Sequence, residues 1–122
     1  MVGIVKRPSM DFGVNQLLDT VKHDFGLSDK ELATILQVEP PTFQNWCAGR
    51  RVPQRAARER LMKLDALLQD LHVTFRDSEG IARWMHGGSA YLGGFTPIEA
   101  LQLQRFDRVE AALEVLDSGM FL

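Results

Sequence analysis

Residues 28–53 read SDKELATILQVEPPTFQNWCAGRRVP. Ser28 and Glu31 stand three apart at the head of this stretch. That is a capping box, in which hydroxyl and carboxylate each satisfy an orphan backbone N–H at a helix start. Leu32, Ala33 and Leu36 follow at helical spacing and predict a short helix to about Leu36. Gln37-Val38-Glu39 reads as a tight turn. Pro40 and Pro41 suit the first turn of the next helix, where a missing N–H costs little. That helix carries Phe43 and Trp46 at i, i+3 and ends near Gly49. Two short helices around a tight turn, the second anchored by an inward aromatic, are the layout of a helix-turn-helix.

Upstream, Val14, Leu17, Leu18, Val21 and Phe25 make the apolar stripe of a first helix that Gly26 ends. Downstream, a longer helix begins near Pro53. Its apolar residues are Ala57, Leu61, Leu64, Leu68, Leu71 and Phe75, spaced 4, 3, 4, 3, 4. Such a seam faces either the chain's own core or a second copy. Ser78 is placed to cap a fifth helix holding Ile81, Trp84 and Met85. A glycine-rich loop, Gly87 to Gly94, follows. Thr96-Pro97-Ile98-Glu99 is a second capping box with proline at the first helical position. Phe106, Val109, Leu113 and Leu116 form one face of a last helix, and Gly119 is placed to end it. No sustained alternation reads as a strand. The expected fold class is therefore all-α. A helix-turn-helix module with its connecting helix (residues 1–75) is joined to a small helical module (residues 76–122).

Charge divides the same way. Residues 1–63 carry ten Lys/Arg against seven Asp/Glu, net +3, and residues 64–122 carry four against nine, net −5. Halves of opposite sign suggest different partners, and only the first suits nucleic acid. The 45% apolar and 25% charged fractions argue against disorder. Cys47 is the only cysteine, so no intramolecular disulfide forms, and a lone thiol fits a reducing compartment. No apolar run is long enough to span a bilayer, and residues 1–10 lack the apolar core of a signal peptide. A cytoplasmic location is expected.

Catalytic patterns are missing. His23, His72 and His86 are scattered, and none pairs with Cys47 or a carboxylate at metal-ligand spacing. The glycine-rich loop lacks the Gly-Lys-Ser/Thr ending of a phosphate-binding loop, and no strand precedes it. The sequence points to a protein that is not an enzyme, with no metal and no cofactor.

Through Glu31-Leu32-Ala33, Val38, Trp46, Gly49 and Pro53, residues 28–53 resemble the Xre/lambda-repressor-like family. That resemblance implies Thr42, Gln44 and Asn45 as the base-facing candidates on the second helix of the pair, and Gln and Asn can bond adenine bidentately. Glu39 at that helix start opposes phosphate, and Pro40 and Pro41 remove two N–H donors. From Arg50 to Lys63 there are six basic residues and one acid, Glu59. This patch, with Arg50, Arg51, Arg55 and Arg58, suits phosphate contacts. The alternative is a solvated helix face supported by a Glu59–Lys63 pair at i, i+4.

Residues 84–101, WMHGGSAYLGGFTPIEAL, resemble the toxin-binding domain of the MbcA/ParS/Xre antitoxin family. The resemblance lies in Trp84-Met85, Leu92-Gly93-Gly94, Thr96-Pro97 and Leu101, then Arg108-Val109, Leu113 and Gly119-Met120-Phe121-Leu122. Gly88-Ser89 stand where members often carry Pro-Asn. The resemblance implies an antitoxin partnered by a RES-domain toxin that consumes NAD, blocked through the antitoxin's C-terminal region. It implies a toxin-binding set of Trp84, Leu92, Gly94, Arg108, Met120, Phe121 and Leu122. Operator DNA is the second expected partner, and the expected assembly is a homodimer or a larger hetero-oligomer with the toxin. An apolar tail fits such a cleft, with Phe121 as an aromatic anchor. The acidic residues Glu99, Asp107, Glu110, Glu114 and Asp117 would complement a basic site. Two alternatives stand beside this reading: a transcriptional regulator without a toxin, and an antitoxin whose helix-turn-helix no longer binds DNA.

Overall fold

The computed structural model describes residues 10–119, with side chains from Gly13 onward. Met120, Phe121 and Leu122 lie outside the described residues. Within them the regular elements are seven α-helices and one 3-10 turn. The helices are α1 Met10–Phe25, α2 Asp29–Leu36, α3 Pro40–Cys47, α4 Arg55–Thr74, α5 Ser78–Met85, α6 Pro97–Gln102 and α7 Phe106–Ser118. The 3-10 turn is Ala90–Leu92. The fold is all-α.

Both capping boxes form. Ser28 Oγ accepts from Glu31 N at 3.1 Å while Glu31 Oε1 accepts from Ser28 N at 2.9 Å. Thr96 and Glu99 do the same at 3.0 and 2.9 Å. Pro40 and Pro41 open α3 behind Glu39, whose side chain makes no capping bond. One capping assignment is corrected. Asp77 caps α5, accepting from Gly80 N at 2.9 Å. Ser78 is instead the first helical residue, and its hydroxyl donates to Asp24 at 3.1 Å. An aspartate one residue earlier outcompetes serine because its charge meets the positive end of the helix.

One core serves the whole described chain. α1 packs on α3, α4 and α5, α2 packs on α4 and α6, and α4 packs on α7. The seam of α4 is therefore internal: Leu61, Leu64, Leu68 and Leu71 are all buried within one chain. A second copy has no access to it. Leu67, outside the heptad spacing, is buried too, because α1, α2 and α7 cover a wider arc of α4 than a two-helix seam would.

Gly26 marks where α5 closes on the end of α1. Its φ is +73°, and a Cβ there would stand 3.2 Å from Ala82 Cβ. His86 Nε2 meets the Gly26 carbonyl at 2.8 Å. Next to it, Asp24 joins three elements: His23 Nδ1 lies 2.8 Å and His72 Nε2 3.1 Å from its carboxylate, beside the Ser78 hydroxyl.

Candidate functional site

Two surfaces gather the residues singled out from sequence. The first surrounds α3. Thr42 and Asn45, one turn apart, line an open groove of about 630 Å³ together with Glu39, Arg51, Val52 and Arg60. Gln44 faces the other side of α3, in a groove with Lys30, Thr34 and Pro40. The three base-facing candidates thus do not share one face. Asn45 is also partly occupied, since its Oδ1 accepts from Arg50 Nε at 3.0 Å. Its amide N–H groups and the second lone pair of Oδ1 remain for another partner.

The basic run after α3 also divides. Arg50 and Arg51 are exposed, and their backbone N–H groups donate to the Asn45 carbonyl at 2.9 and 3.3 Å, which fixes the loop beside α3. Arg55 is exposed and pairs with Glu59 at 3.4 Å, and Arg58 is half-buried. The Glu59–Lys63 pair of the alternative reading is replaced: Glu59 turns back to Arg55, and Lys63 lies over the Phe106 ring, 5.8 Å from its centroid. Arg60 leaves the patch altogether. It donates to Gln104 Oε1 and Gln37 Oε1, each at 2.8 Å, and so joins α4 to the ends of α2 and α6.

The second surface is a cleft of about 180 Å³ lined by Leu92, Gly93, Phe95, Ala100, Leu103, Arg105 and Arg108. Leu92 is its buried floor. Phe95 and Leu103 are exposed at 49% and 54%, high values for large apolar side chains. Arg108 stands 5.5 Å over the Tyr91 ring and donates to the Tyr91 carbonyl at 3.3 Å, which holds it at the rim. Gly94, at φ +92°, belongs to the loop that shapes the cleft, which closes where Gly94 N meets the Ser89 carbonyl at 2.8 Å. Trp84 is not part of it, and is half-buried with its ring 6.2 Å from that of Phe75.

Sequence reading missed Phe95, Leu103 and Arg105. A signal existed for Phe95. The residue before a helix cap often packs on the fourth helical residue, as a hydrophobic staple. At α2 those positions are Leu27 and Leu32, both buried. At α6 they are Phe95 and Ala100, and a methyl group is too small to cover a phenyl ring.

No group of three His, Cys, Asp or Glu side chains is placed to hold a metal ion among the described residues. Partial burial, with the charge of Asp29 adding to it, pushes the Cys47 thiol above its usual pKa. It is not an activated nucleophile. No helix of the described residues is long and apolar enough to cross a membrane.

An all-helical chain with an exposed basic edge and an exposed apolar cleft is built for binding. No family model matches it. The chain is 31% identical over 117 residues to the mycobacterial cidal antitoxin MbcA of Mycobacterium tuberculosis, across 90% of this chain and 99% of that protein. The MbcA of Mycobacterium bovis matches equally. A protein of M. tuberculosis named as a probable mycobacterial cidal antitoxin is 28% identical over 111 residues, covering 88% of this chain and 90% of its own length. Among solved structures, the M. tuberculosis MbcT–MbcA toxin–antitoxin complex contains a chain of the same fold. The TM-score is 0.68 at 23% identity, over 89% of this chain and 97% of that one. The chain belongs to the MbcA-type antitoxin family, and it is a binding protein and not an enzyme.

Proposed function

We propose that this chain neutralises a protein toxin by binding it directly, and that the toxin is a RES-domain enzyme that consumes NAD. The observation that carries the reading is the match to MbcA along nearly the whole of both chains. The C-terminal module, residues 76–122, supplies the contact. Leu92, Phe95 and Leu103 offer apolar area to desolvate, and Arg105 and Arg108 offer charge at its rim. Met120, Phe121 and Leu122 contribute a second contact. Arg105 and Arg108 of the cleft stand at the beginning of α7, which Gly119 ends.

The test is to co-express the chain with the product of the adjacent gene, purify the complex, and follow NAD. Protection of NAD by the wild type, reduced by Phe95→Asp or by removal of residues 120–122, supports the reading. Failure to form a complex, with no NAD-consuming neighbour, sinks it.

A second activity, repression of its own operon, is favoured by the exposed Arg50 and Arg51 beside α3. Phosphate contacts from these two, with Thr42 and Asn45 on one side of α3 and Gln44 on the other, are the proposed DNA contacts.

A further inference from the structure

Glu39 is an exposed acid at the head of α3 that the fold does not use. Its side chain makes no capping bond. It enters no ion pair among the described residues, although Arg51 lines the same groove. Glu39, Thr42 and Asn45 border that groove at intervals of three, along one face of α3. They span about 9 Å at 1.5 Å per residue, roughly three base steps at 3.4 Å each.

Val52 borders the groove too, and it is 46% exposed. Its loop is fixed on both sides. The Arg50 and Arg51 N–H groups bond the Asn45 carbonyl, and Pro53 is buried. An apolar side chain held in water on a fixed basic loop gains nothing from its own fold. Arg50 and Arg51 flank it without carboxylate partners among the described residues, so the rim suits a polyanion.

We propose that Glu39 and Val52 read base edges in a DNA major groove, Glu39 accepting from a cytosine 4-amino group and Val52 packing on a thymine methyl. This rests on the reading of the chain as a repressor. A carboxylate facing phosphate would only be repelled. Facing base edges it has a partner, because cytosine alone shows the major groove a donor with no acceptor of its own beside it. Thymine alone shows a methyl group. The N–H groups that Pro40 and Pro41 lack would serve phosphate at this helix start, and side-chain readout does not need them. Arg50 and Arg51 remain for the phosphates.

The test is selection of DNA by the full chain from duplexes randomised at their centre, with the bound duplexes sequenced. The wild type is expected to enrich a cytosine and a thymine within about three base steps. Glu39→Gln should exchange that cytosine for adenine, which a carboxamide bonds bidentately, with a preference of about fivefold to a hundredfold. Replacing the thymine by deoxyuridine removes only the methyl group. It should weaken the wild type about fourfold and leave Val52→Ala unaffected. The salt dependence of binding should be the same in both variants as in the wild type. Glu39→Gln that tightens binding to every duplex by one factor puts the acid against phosphate and overturns the proposal. Deoxyuridine that weakens wild type and Val52→Ala equally, or neither, also overturns it. In those outcomes salt-sensitive DNA binding persists and the repressor reading survives. A wild type that selects no duplex sinks both.

Discussion

Arg60 Nε donates to Gln104 Oε1 at 2.8 Å, across 44 positions of sequence. Gln104 in turn donates through Nε2 to the Ile35 carbonyl at 2.9 Å, one of the orphan acceptors at the end of α2. The second branch of the same guanidinium reaches Gln37. Gln37 and Gln104 both hold left-handed backbone, at φ 60° and 65°. Glycine would adopt that conformation more readily but would offer no amide to Arg60.

Arg60→Ala should therefore destabilise the fold by about 1.5–3 kcal/mol, the range for partly buried hydrogen bonds to a charged group. Arg60→Lys should recover little, because an ammonium cannot span two acceptors in a fixed fork. Urea unfolding would check both. A double-mutant cycle with Gln104→Ala showing no coupling would refute the network.

Gly26→Ala combines a left-handed backbone with a crowded Cβ position against Ala82 and His86. The backbone alone costs about 1–2 kcal/mol, and the crowding adds to it by pushing α5 off α1. The melting temperature should fall, and amide exchange should rise first in α5. A variant as stable as the wild type would contradict this account of the α1–α5 junction.

Asp24 gives the fold a pH dependence. Burial pulls its carboxyl pKa upward, but hydrogen bonds from His23, His72 and Ser78 together outweigh that and hold it below the usual value. The folded pKa is lower than the unfolded one. Its stabilisation is then fully present above the unfolded value near 3.8 and is lost as pH falls through the folded one. Asp24→Asn should lower stability at neutral pH, and the gap to wild type should close in acid. Unfolding curves at pH 7 and below pH 3 would show whether it does.

Replacing Arg50 and Arg51 with Ala should reduce the slope of log affinity against log salt by about one to two, since each phosphate contact contributes about 0.9. Fluorescence anisotropy on operator DNA measures it. A wild type with no salt-sensitive specific binding would favour a helix-turn-helix kept only as a scaffold.

The sequence by itself determined the local grammar. Ser28–Glu31 and Thr96–Glu99 act over three residues, Pro40-Pro41 fix their own φ, and Gly26 and Gly119 end their helices. None of these needs a distant partner. The leucine seam of α4 was legible as a seam, but not what it faced, because periodicity describes one helix and not its neighbours. Only the tertiary structure turned that seam inward, uncovered the reverse face with Met62 and Val73, and drew Arg60 out of the basic patch. The same holds for the cleft. Phe95 and Leu103 resemble any other core residue in sequence, and they are exposed because Ala100 and the α6–α7 corner leave nothing to cover them. Burial is set by what packs opposite, and that is fixed only when helices far apart in the chain come together.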